Sequence, residues 1–416
     1  MMPSIRPLFF RDSGATIVAF EPKFRDRIFL AAAGILVVGS LAWPAAADEF
    51  DALNVVTGGS VTHDSNLFRE SDSASPQSDT IKAGYLGLRI NKPYAQQRFQ
   101  VDVTETATRY DKSSNLDFNA LSYRGAWQWH LSPRISGTLS ADRAVSLVPF
   151  EESLGKQRDV RVTQNRLFNL DAWIFGGWHT LLGVSQSKQT SEQAFQTVPD
   201  FRSVSEEIGV KYIAPTGSWV SATRRSIQGH YLNAALSPVS NDFDSYRQDE
   251  TELRANWILD GRSTVTSRLA WIERHNETFT RGNFSGLAGE LGYNRILTSK
   301  LRLDCLAKRD ISPYQTLSSA YAVNNVLSLA PSWQASAKIA VHLRLEHIKS
   351  HFRGGVAVPN VPTRSDTKQT AFLGADWTLL RGVSVGASLL RQRRTSTVAF
   401  FEYDDTIAGV NASLIF

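Results

Sequence analysis

The sequence predicts an all-β protein, a single transmembrane antiparallel up-and-down β-barrel of about eighteen strands, within a range of about 16–20. Three observations lead to this fold class. Apolar and polar residues alternate over most of the chain, short turns alternate with long polar connections, and tryptophans cluster beside the short turns.

The first 47 residues read as a signal peptide, so we expect the barrel to occupy residues 48–416. Lys23, Arg25 and Arg27 precede an apolar run from Ile28 to Leu41, and three alanines follow at 45–47. The alternative for this run is a single membrane anchor. Secretion agrees with the presence of one cysteine, Cys305, which excludes an intramolecular disulfide.

The alternation has a period of two, as in strands with two different faces. It is clear in 121–130, 135–142, 253–259 and 337–346, where apolar residues occupy every second position. Eight tight turns are predicted near residues 94, 132, 176, 216, 261, 299, 332 and 381, from pairs rich in Gly, Pro, Asp and Ser. Longer polar connections lie between them, such as 70–78, 151–158, 354–366 and 393–396, and this asymmetry is typical of outer-membrane barrels.

Tryptophan placement favours this barrel over a soluble propeller or sandwich, which also has many short strands. Indole rings prefer the membrane–water interface and form girdles at strand ends. Seven lie within four residues of a predicted tight turn, namely Trp129, Trp173, Trp178, Trp219, Trp257, Trp333 and Trp377. Trp271 is expected in the opposite girdle. The alternating C-terminal segment ends in Phe416, which resembles the membrane-insertion signal read by the barrel-assembly machinery.

In lipid the outward face of a barrel is apolar, so the polar face is expected to line a lumen. The predicted lumen-facing residues carry both signs of charge and suggest an aqueous channel that a long loop could narrow. They are Arg124, Gln128, Asp142, Arg161, Asn165, Glu252, Arg254, Asn256, Arg268, Lys338, His342, Arg344, Glu346 and Asp376. For each single charge, a solvated or paired structural role is the alternative.

Enzymatic and nucleic-acid-binding functions find no support in the sequence. His63, Asp64 and Ser65 are neighbours, and neighbours on a strand point to opposite faces, so they cannot form a relay. The histidines show no metal-binding spacing, and no phosphate loop occurs, so no cofactor is expected. The 45 Lys and Arg residues exceed the 40 Asp and Glu residues only slightly, and five of the basic residues lie in the leader.

The start of the predicted mature chain, 51–56 followed by 59–69, resembles EpsL-type exopolysaccharide-biosynthesis outer-membrane proteins, which accompany exosortase-linked gene clusters and lie near a group of β-barrel porins. The most specific part of the motif is His63, Asp64, Ser65, Asn66, Leu67, Phe68 and Arg69. The resemblance implies a polar pore for polysaccharide secretion. Its implied partners are the exopolysaccharide and a periplasmic polysaccharide-export protein, within outer-membrane lipid.

Two other functions stay open, a general small-solute porin and a non-conducting structural or scaffold barrel. Within the motif, Asp64, Asn66 and Arg69 suggest a structural latch at the outer end of the first strand. A simple turn formed by the Asp-Ser-Asn sequence is the alternative.

Overall fold

A computed structural model describes residues 52–152, 155–193, 200–232, 245–277, 280–316, 319–355 and 363–416. The predicted signal peptide, 1–47, lies outside the described residues. Within them, no helix is long and apolar enough to cross a membrane.

The described chain forms one sheet of eighteen antiparallel strands, which confirms the predicted fold class and strand number. The strands are β1 Leu53–Asp64, β2 Asp79–Tyr94, β3 Gln97–Tyr110, β4 Phe118–Ser132, β5 Ile135–Leu147, β6 Val160–Phe175, β7 Trp178–Ser191, β8 Phe201–Ile213, β9 Trp219–Tyr231, β10 Ser245–Asp260, β11 Ser263–Asn276, β12 Phe284–Ile296, β13 Leu301–Thr316, β14 Ser319–Gln334, β15 Ile339–Gly354, β16 Ser365–Leu380, β17 Val383–Ser396 and β18 Tyr403–Ile415.

Each strand pairs with its neighbours in sequence, and the first strand pairs with the last to close the barrel. The closing register runs from Val56 opposite Ile415 to Asp64 opposite Ile407. On its other edge, β1 pairs with β2 from Leu53 opposite Ile90 to Val55 opposite Leu88. Closure leaves the sheet without an exposed edge, as a membrane-spanning sheet requires.

The short turns lie at one end of the barrel, because each follows an even-numbered strand and precedes an odd-numbered one. Gly176, Gly217 and Gly382 take positive φ angles in three of these turns, a conformation that favours glycine. The predicted turn at 331–332 is wrong by a few residues. Pro331 and Ser332 pair with Leu303 and Arg302 inside β14, and the turn lies at 335–338. The segment 393–396, predicted to be a connection, is the end of β17.

The outside of the barrel carries an apolar belt. Leu86, Ile208 and Leu327 are each at least 60% exposed, and many other leucines alternate with buried polar neighbours. Such a surface is stable only against hydrocarbon, because in water it would exceed the exposed apolar patches of soluble proteins. A closed antiparallel barrel with this belt, short turns at one end and long loops at the other is a Gram-negative outer-membrane protein. The short turns therefore mark the periplasmic end.

The positions of the tryptophans support two interfacial girdles, but two of the tryptophans predicted to lie in a girdle do not. Trp257 and Trp271 both face outward, and Trp271 is opposite Thr251, so they lie six residues or about 20 Å apart along the strand. Trp173 and Trp219 were assigned to a girdle, but both lie on the inward face. Trp173 is opposite His179, and Trp219 is opposite the buried Asn256. Proximity to a turn reveals the height of a side chain in the barrel but not its face.

Candidate functional site: the barrel lumen

Strand register places the predicted lumen residues on the inward face, with the exception of Lys338. The inward face is the one where polar side chains pair across strands, as in Arg124 opposite Asp142 and Asp142 opposite Asn165. Lys338 lies in the exposed turn before β15, where its Nζ donates to the carbonyl oxygen of Leu379. The misplaced turn at 331–332 explains this error, because it moved the start of β15 too early.

Charged side chains face the open lumen along β2–β5, from near the periplasmic end at Arg89 to the middle of the barrel at Asp142. Arg89 Nε lies 2.8 Å from Asp102 Oδ1, and the two side chains are 52% and 44% exposed. Arg124 is exposed on the next strand, and Asn165 Nδ2 donates to Asp142 at 3.0 Å. Ion pairs with this exposure contribute little to stability, so these groups are free to interact with solutes.

The wall formed by β8–β11 is different, because its inward charges are buried and paired with one another. Arg225 contacts Glu207, and its Nη1 lies 3.3 Å from Glu250 Oε2. Glu252 contacts both Arg254 and Arg268. Three arginines and three glutamates therefore lie close together in this wall, so their opposite charges compensate over short distances. This wall is therefore a rigid side of the lumen.

A long connection between β5 and β6, which we call the constriction loop, enters the outer half of the lumen, and the structure describes its residues 148–152 and 155–159. Glu151 on this loop accepts hydrogen bonds from Lys368 Nζ at 2.7 and 3.0 Å and from the Tyr403 hydroxyl at 2.7 Å. Arg394 Nη1 lies 3.8 Å from the same carboxylate. These partners belong to β16, β17 and β18, whereas the loop leaves the barrel at β5, so it crosses the lumen.

The electrostatics of the loop hold Glu151 in its charged form. Burial alone would raise the pKa of this carboxyl, but Lys368, Arg394 and the Tyr403 hydroxyl lower it to about 2. For its neighbour Glu152, the effect of burial on the pKa is larger than the effect of the nearby positive charge. Burial raises the pKa of Glu152, although Arg161 Nη1 lies 2.8 Å from its Oε2 and opposes the rise.

Further contacts fix the constriction loop to the connection between β1 and β2. The ring of Phe150 packs edge-on against Phe68 with centroids 4.8 Å apart. Lys156 Nζ lies 2.8 Å from Glu70 Oε1 and 5.0 Å from the centre of the Phe68 ring. The loop is thus anchored on two sides of the lumen.

A second cluster at the outer end surrounds Arg364, which sequence reasoning missed. Its guanidinium pairs with Asp366 at 2.6 Å and donates to the Tyr314 hydroxyl at 2.6 Å. The same group lies over the rings of Phe352 and Phe401, at 4.1 and 3.4 Å from their centroids. Cation–π contacts of this kind are strongest when water is excluded, and Arg364 is buried. No local pattern could reveal this cluster, because its members come from three strands, β13, β15 and β16, and from the connections that precede β16 and β18.

The motif 63–69 forms both a turn and a connection across the closing seam. Asp64 accepts hydrogen bonds from the backbone N–H of Asn66 at 2.9 Å and from both terminal nitrogens of Arg69 at 3.0 Å. Arg69 also lies 3.2 Å from Asp405 on β18, and Asn66 Nδ2 donates to the carbonyl oxygen of Asp404.

The remaining motif residues support this arrangement. Ser65 donates to Asp405 at 3.1 Å, Leu67 packs in a buried cluster with Tyr110 and Leu116, and Phe68 borders that cluster. His63 lies on the outward face near Thr80. The turn and latch interpretations therefore describe the same structure. Phe416 exchanges backbone hydrogen bonds with Val55 at 2.8 and 3.0 Å, which places the last residue on the seam.

Comparisons with known proteins give structural likeness only. No protein-family model matches the chain, and no curated protein matches it. Similar solved structures include OccK2 (OpdF) from Pseudomonas aeruginosa in complex with glucuronate, at 12% identity and a TM-score of 0.49, covering 89% of this chain and 99% of that one. A BenF-like porin from Pseudomonas fluorescens Pf-5 is similar at 10% identity and a TM-score of 0.48, covering 89% and 100%. The outer-membrane protein OpdK from Pseudomonas aeruginosa gives 10% identity and a TM-score of 0.47, covering 88% and 99%.

Among the described residues, no group of three or more His, Cys, Asp or Glu side chains could hold a metal ion. The described lumen residues contact one another, and the constriction loop narrows the lumen toward its outer end.

Proposed function

We propose that the protein is an outer-membrane porin through which small hydrophilic solutes diffuse, with the constriction loop limiting their size. The observation that supports this most directly is the loop itself, which crosses the outer half of a charged and hydrated lumen and binds the far wall through Glu151. A pathway that is wide and wet at the periplasmic end and narrow near the outer end suits solutes smaller than the barrel diameter.

The charge pattern supports weak selectivity. Both signs of charge face the lumen, in pairs such as Arg89 with Asp102 and Arg124 opposite Asp142. A solute hydroxyl or carboxylate can exchange hydrogen bonds with such partly exposed pairs at little cost, because the pairs are already solvated. Strong selection for either sign of ion would require an excess of one charge.

Liposome swelling with uncharged sugars of increasing length tests the proposal. The purified protein should admit monosaccharides rapidly, trisaccharides slowly and hexasaccharides hardly at all. Liposomes that carry the protein yet exclude even monosaccharides would contradict it and would favour a scaffold barrel with a closed lumen.

Exopolysaccharide export is the second candidate, and it is supported by the resemblance of residues 51–69 to EpsL-type proteins. Export of a polymer chain would require the constriction loop to leave the lumen, because in this structure Glu151 binds Lys368 on the opposite wall. A deletion strain separates the two candidates. Loss of secreted polysaccharide, restored by the wild-type gene but not by a variant with the loop fixed in place, would favour export. Normal secretion would favour the small-solute porin.

A further inference from the structure

Charged residues on the lipid-facing side of the barrel are segregated around its circumference. Five cationic residues face outward toward the outer ends of β13, β15 and β17, namely Arg309, Lys349, Arg353, Arg391 and Arg393. No acidic residue in the described parts of β13–β17 faces outward. Elsewhere the outward face does carry acids, such as Glu105, Glu206 and Glu273. The cations therefore form a patch of net positive charge at the outer border of the apolar belt, bordered by one acidic residue, Asp404 of β18.

A groove of about 820 Å³ runs along the same part of the exterior. Its base is apolar and includes small residues, which leave the depression between larger neighbours. The base is lined by Leu291, Ala307, Leu327, Leu329, Leu345 and Ala371. Its mouth is polar, with His347, Arg391, Arg393 and Asp404. Asp404 on β18 pairs with Arg391 at 2.5 Å, and Arg393 is opposite Asp404 in the strand register.

The groove also rises across the membrane. One register row joins Ala307, Leu327, His347, Gln369 and Arg393 on successive strands. Ala307 lies nearer the periplasmic end of β13, whereas Arg393 lies three residues before the outer end of β17. Four strand spacings of about 4.8 Å run ~19 Å around the barrel, and strands tilted by about 40° give this row a rise of ~12 Å toward the outer end. The apolar end of the groove is therefore deeper in the hydrocarbon than the cationic end, which lies nearer the head groups.

We propose that this groove binds a multiply phosphorylated glycolipid of the outer leaflet, of the lipopolysaccharide class. An acyl chain lies on the leucines and alanines, and one phosphate lies between Arg391 and Arg393. Arginine is suited to this contact because its guanidinium binds phosphate oxygens with two parallel hydrogen bonds. A second phosphate is favoured by Arg309, Lys349 and Arg353, which lie two to four strands away. A lipid with a single phosphate could not reach both cationic groups.

Native mass spectrometry of the purified protein with added lipids tests the inference. The wild type should retain one lipopolysaccharide molecule in preference to phosphatidylglycerol. Arg391→Gln/Arg393→Gln should lower this occupancy about tenfold or more, because charge-assisted hydrogen bonds to the phosphate are lost. Ala371→Trp should have a similar effect with every charge intact, because the indole fills the groove.

Arg202→Gln/Arg224→Gln is the matched control, since it removes the same charge from the outward face of β8 and β9, beside Glu206. Its lipid occupancy should equal that of the wild type, and heat-modifiable electrophoresis should show all variants folded. Lipopolysaccharide retention by both groove variants would overturn the inference, as would a wild-type preference for phosphatidylglycerol. Neither outcome bears on solute passage through the lumen, which liposome swelling measures separately.

Discussion

Glu151 is the residue on which the narrow lumen depends most. It is the contact between a connection that leaves the barrel at β5 and three strands at the end of the chain, and it lies 217 residues from Lys368 in sequence. A buried carboxylate with two cationic partners is stable only as a complete group, because removal of one charge leaves the others desolvated and unpaired. The position of the constriction loop is thus set by electrostatics and not by covalent restraint.

The substitution Glu151→Gln is expected to release the loop and to raise single-channel conductance in planar bilayers. The same change should lower the free energy of unfolding by about 3 kcal/mol, because Lys368 and Arg394 lose their buried counter-charge. Glu192→Gln is the control. Glu192 pairs with Arg158, and the two side chains are 41% and 45% exposed, so little change in either quantity is expected. Equal conductance in the wild type and Glu151→Gln would show that the loop does not limit flow.

Acidification should weaken the contact of Glu151 with Lys368 and Arg394 only well below the ordinary pKa of a carboxyl group. The pKa of Glu151 is lowered to about 2, so its charge stabilises the folded loop at pH values above its ordinary pKa of 4.5. That stabilisation is lost as the pH falls from 4.5 through about 2. Conductance should therefore stay constant from pH 7 to 5 and rise only toward pH 2, and Glu151→Gln should lack this rise. A transition centred near pH 5 that depends on Glu151 would contradict the assignment.

At the scale of elements, the strands could be predicted because a membrane imposes a period of two on each of them. Within the belt, lipid favours apolar residues at most outward positions, and the lumen admits polar ones, so the pattern of β15 or β18 is visible locally. The predicted start of β15 was wrong because Pro331 and Ser332 resemble a turn, although Pro331 lies within β14. Connections are harder to predict. The constriction loop and the Arg364 cluster are held by contacts between distant segments, and no short-range pattern encodes them.

The last strand, β18, is expected to govern assembly through its terminal residue. Phe416→Ala should lower the amount of folded barrel in the outer membrane, since the chain ends in the aromatic residue that resembles an insertion signal. Leu414→Ala is the matched control, because Leu414 faces outward on the same strand two residues earlier. Heat-modifiable electrophoresis of outer-membrane fractions measures the folded amount. Normal assembly of Phe416→Ala would show that Phe416 is an ordinary lipid-facing side chain.

At the scale of the whole molecule, the two surfaces of the barrel face different surroundings, lipid outside and the lumen inside. The outside is apolar with cationic residues at its outer border. The inside is charged, and the constriction loop narrows it near the outer end. The motif 63–69 joins β1 to β18 at the outer end, and Phe416 joins them at the periplasmic end. The seam that closes the barrel is therefore fixed at both ends. Sequence periodicity predicts the two surfaces, whereas the width of the lumen depends on tertiary contacts.

The central claim is that the polar face lines the conducting path, and cysteine modification during single-channel recording tests it most directly. In a Cys305→Ala background, Asp142→Cys places a thiol on the inward face, and Ala141→Cys places one on the lipid face one residue away. A bulky, charged thiol reagent should reduce the conductance of Asp142→Cys and leave Ala141→Cys unchanged. An unchanged conductance in Asp142→Cys, despite complete modification, would contradict the account.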